Sequence, residues 1–149
     1  MAAGSIDARL TTLISAEPLT VAAAEQAVVG PQAGAVVTFC GVVRDHDHGR
    51  QVVALDYVSH PSAEQVLAAV VARVSGPALE SGAVEGVYAA HRIGELTVGD
   101  LAFLVVVAAA HRGPAFALCS ALVDEVKRDL PIWKRQQFTD GTDEWVACP

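Results

Sequence analysis

The chain has 149 residues, 17 acidic against 10 basic side chains and a formal net charge of -7, with 52% hydrophobic residues. That length suits one domain over residues 1–149 with a full core, and the acidic balance gives no basis for a nucleic-acid partner. The longest apolar run, Leu101 to Ala110, is about half the ~20 residues a membrane span needs, and the N-terminus lacks a basic segment followed by an apolar one. No membrane and no secretory signal are expected, so the expected location is cytoplasmic.

In chain order, Ile6 to Ile14 alternates weakly and reads as an edge strand, and Thr20 to Val29 as a short Ala-rich helix. Gly34 to Val43 is a strong strand. Arg44 to Gln51 is a polar loop, and Val52 to Val58 a second strand, so the pair reads as a long-looped hairpin. Pro61 to Val74 has helical periodicity, after which Val84 to His91, Glu95 to Val98 and Leu101 to Ala109 are strands, the last a central one. Gly113-Pro114 opens a long helix that Pro131 closes, giving Pro114 to Asp129 with Ala115, Leu118, Cys119, Leu122 and Val126 as its core stripe. Ile132 to Phe138 and Glu144 to Val146 complete the set. The fold class is therefore α+β, a mainly antiparallel sheet with two main helices.

Only two lysines occur, Lys127 and Lys134, and with Arg128 and Arg135 they place four cations around Asp129. A local positive site on an acidic body attracts an anion. Lys127 follows Phe116 and Val123 at helical intervals, so it borders the apolar arc with Arg128 next door. Desolvation and like charge both disfavour an ammonium there, which is how a lysine becomes a usable acid, base or nucleophile.

Arg44 ends a strand, where a fixed guanidinium can grip phosphate or carboxylate in bidentate fashion; an ordinary surface ion pair explains it about as well. His111-Arg112 precedes a helix N-terminus, whose free N–H groups favour an anion, so both are phosphate-site candidates. His91 instead reads as orienting local backbone before Ile93-Gly94-Glu95, and His60 as helix-entry chemistry before Pro61. Asp45, His46, Asp47 and His48 lie in a polar loop closed by Gly49, and with no HExxH no metal site is expected. Cys40, in a strand, and Cys119, on the helix stripe, read as small buried hydrophobes, and Cys148 as an exposed thiol without activation. There is no GxSxG, GxxxxGK[ST] or GxGxxG. A Lys/Arg/His site for an anionic substrate remains, with no cofactor called for.

Jointly, Gly34-Ala35-Val36-Val37-Thr38-Phe39 with Gly41 and Val43-Arg44, His91-Arg92-Ile93-Gly94-Glu95-Leu96, His111-Arg112, Pro131-Ile132-Trp133-Lys134 and Trp145-Val146 resemble the large, catalytic subunit of molybdopterin synthase. Each motif is short, but together they run through nearly the whole chain in order. The resemblance implies an α/β hammerhead-type fold and a homodimer at the centre of a heterotetramer. It implies a small ubiquitin-like sulfur carrier as partner, inserting a C-terminal Gly-Gly tail that ends in a thiocarboxylate. Two such sulfurs convert cyclic pyranopterin monophosphate into the dithiolene of molybdopterin, in molybdenum cofactor biosynthesis.

On that resemblance Lys127 matches the principal catalytic lysine and Lys134 the second. Arg44, His111 and Arg112 match anion-binding positions, the last two serving a neighbouring protomer's pocket, and Phe39 matches a pocket-lining residue. One departure stands out: members commonly continue past Trp-Val with a basic residue near the pocket, whereas Ala147-Cys148-Pro149 follow here. The competing expectation is a noncatalytic module that binds a ubiquitin-like tail or an anionic ligand through the same cations.

Overall fold

The computed structural model describes residues 7–147. They form β1 (Leu10–Ser15), α1 (Val21–Val28), β2 (Ala35–Val42), β3 (His46–Asp47), β4 (Arg50–Ser59), α2 (Ala63–Glu80), β5 (Gly86–Arg92), β6 (Gly94–Thr97), β7 (Leu101–Ala109), α3 (Arg112–Asp129), β8 (Ile132–Phe138) and β9 (Asp143–Ala147). The class is α+β, as the sequence pattern predicts, with pairing antiparallel everywhere except between β1 and β5.

An unbroken apolar strand must be covered on both faces, and β7 is. Phe103, Val105, Val107 and Ala109 point into the main core with Leu67, Val71, Leu118 and Leu122 of α2 and α3. Leu104, Val106 and Ala108 point the other way and meet Ala24 and Val28 of α1. The strand sits inside a four-stranded sheet of order β1-β5-β7-β2. A second sheet runs β3-β4-β8-β9, with β6 also on β4, and sends Val52, Leu55, Ile132 and Phe138 into the same main core.

Two expectations fail here. The predicted β2–β4 hairpin does not form: β2 pairs with β7 from Ala35↔Ala109 to Val42↔Leu101, and β4 belongs to the other sheet. Its inner positions, Val37 and Phe39, pack on the main core, so the apolar face decides the pairing rather than nearness in sequence. The intervening loop instead folds its own hairpin, with His46↔Gln51 and Asp47↔Arg50 joined by His48 (φ 48°) and Gly49 (φ 77°). Two successive positive φ angles are what a two-residue type I′ turn requires. Cys40 is exposed, not buried, because it shares a strand face with the exposed Val36 and Val42 while Val37 and Phe39 point inward.

Among the helices, α2 runs on to Glu80 through Pro77, past the expected end at Val74. Pro77 lacks the N–H that the helix interior would use. Burial of Leu79, with Ala78 against the core, offsets that loss. The predicted stripe of α3 is buried in full, and the helix starts at Arg112, two residues early. His60 does shape the entry to α2, accepting the Ser62 backbone N–H at Nδ1 (3.1 Å).

β5 passes so close to the end of α1 that a Cβ on Gly86 would lie 2.7 Å from the Val28 carbonyl oxygen. Backbone cannot step aside as a side-chain tip can. Gly86→Ala is expected to destabilise the chain by about 1–3 kcal/mol, read as a lower urea midpoint with an unchanged slope.

Candidate active site

At the seam of the two sheets a cavity of about 340 Å³ opens to solvent. Its wall uses the last residues of β2, the first of β7, the end of β5, the last turn of α3 and one face of β8. The joint between α3 and β8 does most of the positioning. Leu130 leaves the helix in extended geometry (φ -70°, ψ 120°) and its N–H caps the Val126 carbonyl; after Pro131, β8 begins at Ile132. Lys127 in the final helical turn and Lys134 in the strand are thereby folded back onto one cavity. Alternation in β8 turns Ile132, Lys134, Gln136 and Phe138 inward, and leaves Trp133 on the exposed side.

Arg44 follows the β2 irregularity between Gly41 and Val42 and also lines the cavity. Its Nη2 lies 3.3 Å from Asp47 Oδ1, while Asp47 Oδ2 accepts a hydrogen bond from Nε2 of the buried Gln136 at 2.7 Å. That hydrogen bond, aided by the charges of His48, Lys134 and Arg44, holds the Asp47 carboxyl below its usual range. The predicted loop is thus latched to the second sheet through its acid. Among the described residues no cluster of three or more His, Cys, Asp and Glu side chains is placed to hold a metal ion.

The pairing of charge sets the site apart. Seven of the eight arginines, all but Arg112, face a carboxylate within ion-pair distance. Arg128 is one of them: it pairs with Glu125 and does not press on Lys127 as the sequence suggested. Among the described residues, Lys127, Lys134 and Arg112 have no such partner. In a chain of net charge -7, cations left over from pairing are the ones available to a ligand.

The remaining expected residues divide. Phe39 sits one ring behind the cavity, edge-on to the lining Phe103 with centroids 5.7 Å apart. His111 and Arg112 stand exposed at the other end of α3. Fifteen residues of helix, roughly 22 Å, separate Arg112 from Lys127, so one chain does not bring them together. Cys119 is buried, which raises its thiol pKa, and lies on the core stripe. Cys148 lies outside the described residues.

His91 is the residue that sequence reasoning set aside. Its Nδ1–H donates to the Arg92 carbonyl at 2.7 Å, the local backbone role expected of it, yet the ring also lines the cavity. It is stacked on Phe103 (5.7 Å, 24°) and meets Tyr57 edge-on (5.0 Å, 75°). Burial, with the nearby Lys127 charge, pushes its pKa from 6.5 down to about 4 against the pull of the Arg92 carbonyl. The useful signal in the sequence was position: His91 ends the run Gly86 to Ala90, all but one of whose residues are buried.

Between about pH 4 and pH 6.5 the unfolded chain therefore binds a proton at His91 that the folded chain does not. Stability from this group is full above the unfolded value and is lost as pH falls toward the folded one. Urea unfolding at pH 7 and pH 5 is expected to show about 2 kcal/mol more loss in the wild type than in His91→Phe.

Comparison with known proteins places the fold in a family. Residues 14–129 match the family model described as MoaE protein. A protein of Emericella nidulans named molybdopterin synthase catalytic subunit is 38% identical over 80% of this chain and 60% of its own length. Molybdopterin synthase catalytic subunit 1 of Mycobacterium tuberculosis is 37% identical over 88% of this chain and 86% of its own. The X-ray structure of molybdopterin synthase from Staphylococcus aureus superimposes with a TM-score of 0.80 at 28% identity, over 90% of this chain and 95% of that one. The chain spans about 60% of the length of the first curated relatives it matches. A family match across three quarters of the sequence and a shared fold along almost all of it have one explanation, common descent: this chain belongs to the MoaE protein family.

Proposed function

We propose that this chain is the catalytic subunit of a molybdopterin synthase. It moves sulfur from the C-terminal thiocarboxylate of a small ubiquitin-like subunit to cyclic pyranopterin monophosphate, forming the dithiolene of molybdopterin in the cytoplasm. The observation that carries the reading is that the chain's only two lysines share one cavity and neither has a carboxylate partner among the described residues. Both ligands of the reaction are anions, one a thiocarboxylate and the other a phosphate ester. No helix of the described residues is long and apolar enough to cross a membrane.

In this reading Lys127, which is exposed at the cavity rather than desolvated as the sequence suggested, works beside the thiocarboxylate as acid, base or transient nucleophile. Lys134 holds tail or pterin and stabilises negative charge as it develops. Arg44, braced by Asp47, grips an anionic group at the mouth, and Phe39 backs the cavity through Phe103. His111 and Arg112 complete the pocket of a second copy, since α3 holds them far from their own. The working assembly is then a homodimer flanked by two small subunits.

The decisive measurement supplies cyclic pyranopterin monophosphate and the thiocarboxylated small subunit and follows molybdopterin. Lys127→Ala is expected to lower turnover about 100-fold or more with partner binding retained. Wild-type binding without product would instead support the noncatalytic module. The shared pocket has its own test, co-expression of Lys127→Ala with Arg112→Ala. Each variant alone is expected to be nearly inactive, and the random mixture to recover roughly a quarter of wild-type turnover, because half the dimers are mixed and each holds one intact pocket.

A further inference from the structure

The three cations at the cavity, Arg44, Lys127 and Lys134, are donors only. They account for an anionic ligand group, not for the uncharged polar groups of the lining. The lining also holds two buried, uncharged side chains, His91 from the end of β5 in one sheet and Gln136 from the inward face of β8 in the other. Each has a donor already engaged. His91 gives its Nδ1–H to the Arg92 carbonyl, which leaves the Nε2 lone pair as the acceptor of the neutral ring. Gln136 gives an amide N–H to Asp47, which fixes the amide and keeps its carbonyl oxygen as an acceptor.

Their settings hold them in that role. The imidazole is fixed between Phe103 and Tyr57, and a proton on Nε2 would be buried against the Lys127 charge, so the ring stays neutral at ordinary pH. A carboxylate at the same place would accept hydrogen bonds too, but it would neutralise Lys127 and cancel the attraction for an anion. An imidazole locked in its Nδ1–H tautomer accepts without cancelling.

We propose that His91, with Gln136 on the wall of the same cavity, is a specificity-determining acceptor that receives an uncharged N–H of the ligand whose anionic group meets Lys127 and Lys134. The class of ligand is an anion with an amide-like N–H a few bonds away. Both substrates of the proposed reaction fit it: the pyranopterin through ring N–H groups, and the sulfur carrier through the peptide N–H of its terminal glycine. The inference takes those two molecules from the functional reading, and the acceptor chemistry from the cavity alone.

The test reads the 15N resonance of His91 Nε2 in the wild-type chain, which moves upfield when the lone pair accepts a hydrogen bond. Three probes are added in turn: cyclic pyranopterin monophosphate, the small subunit in its carboxylate form, and N-acetylglycine, each without turnover. Acetoxyacetate, which replaces the N–H of N-acetylglycine by an ester oxygen, is the control. The expected result is an upfield shift with at least one of the first three and none with acetoxyacetate. His91→Phe, which keeps the ring stack, is expected to weaken that ligand about tenfold, the worth of one buried hydrogen bond. The loss is expected in KM or Kd more than in kcat. A shift with the pterin assigns the acceptor to the heterocycle, and one with the subunit assigns it to the tail. A shift with N-acetylglycine alone keeps the acceptor while removing the functional reading. No shift with any of the three, or an equal shift with acetoxyacetate, overturns the proposal whether or not His91→Phe folds.

Discussion

Everything in this molecule is arranged around the need to keep β7 dry on both faces. One layer of helix does not suffice, so α1 closes one side and the α2–α3 pair the other. The helices occupy the faces, and the second sheet takes its place at the end of the first, where Ala102 and Phe103 of β7 meet Ile132 of β8 and Val126 and Leu130 beside the α3 joint. Two sheets meeting end to side leave a gap at their junction. The cavity is that gap, and most of the backbone that lines it belongs to helix and strand, with Val43, Arg44 and Leu130 contributed by the connections between them.

Charge follows the same economy. Arginine is the structural cation of this chain: Arg73 and Arg128 tie α2 and α3 to Glu125, and Arg135 bridges toward Asp56 and Asp143 across β8. Lysine, compact and strongly hydrated, is kept for the cavity. Arg44 joins the two roles, held by Asp47 while facing the site.

Much of this was legible in the sequence where local pattern and tertiary demand agree. The apolar run of β7 admitted only a doubly covered strand, and Pro131 announced the joint that sets Lys127 against Lys134. The failures have a common cause in pairing and parity, which a window of residues does not contain. β2 and β4 look like neighbours until the covered face of β2 is known, and Cys40 looks buried until its face is known. The His48-Gly49 turn hides inside what composition marks only as a polar loop. His91 has the backbone role its position suggested, but no window of residues shows that its ring also lines the cavity. His111 and Arg112 stand at the opposite end of α3 from Lys127, as the resemblance to a two-chain pocket implied and as no local pattern of residues does.

The inward turn of Lys134 and Gln136 depends on nothing but whether each residue of β8 counts as odd or even. Were the strand to pair one place out of step, Trp133, Arg135 and Gln137 would face the cavity, and an indole would fill the space meant for a ligand. Two neighbours hold the count. β9 matches it from Trp133↔Ala147 to Gln137↔Asp143, and β4 matches it from Ser59↔Ile132 to Val52↔Phe138, with the irregularity between Val52 and Ala54 taking up the odd residue. A mispaired chain would keep its composition, its charge and most of its hydrogen bonds, and would lose the lining of its cavity. For the function proposed above, the pairing of this one strand matters as much as the two lysines, because it decides which side chains the cavity receives.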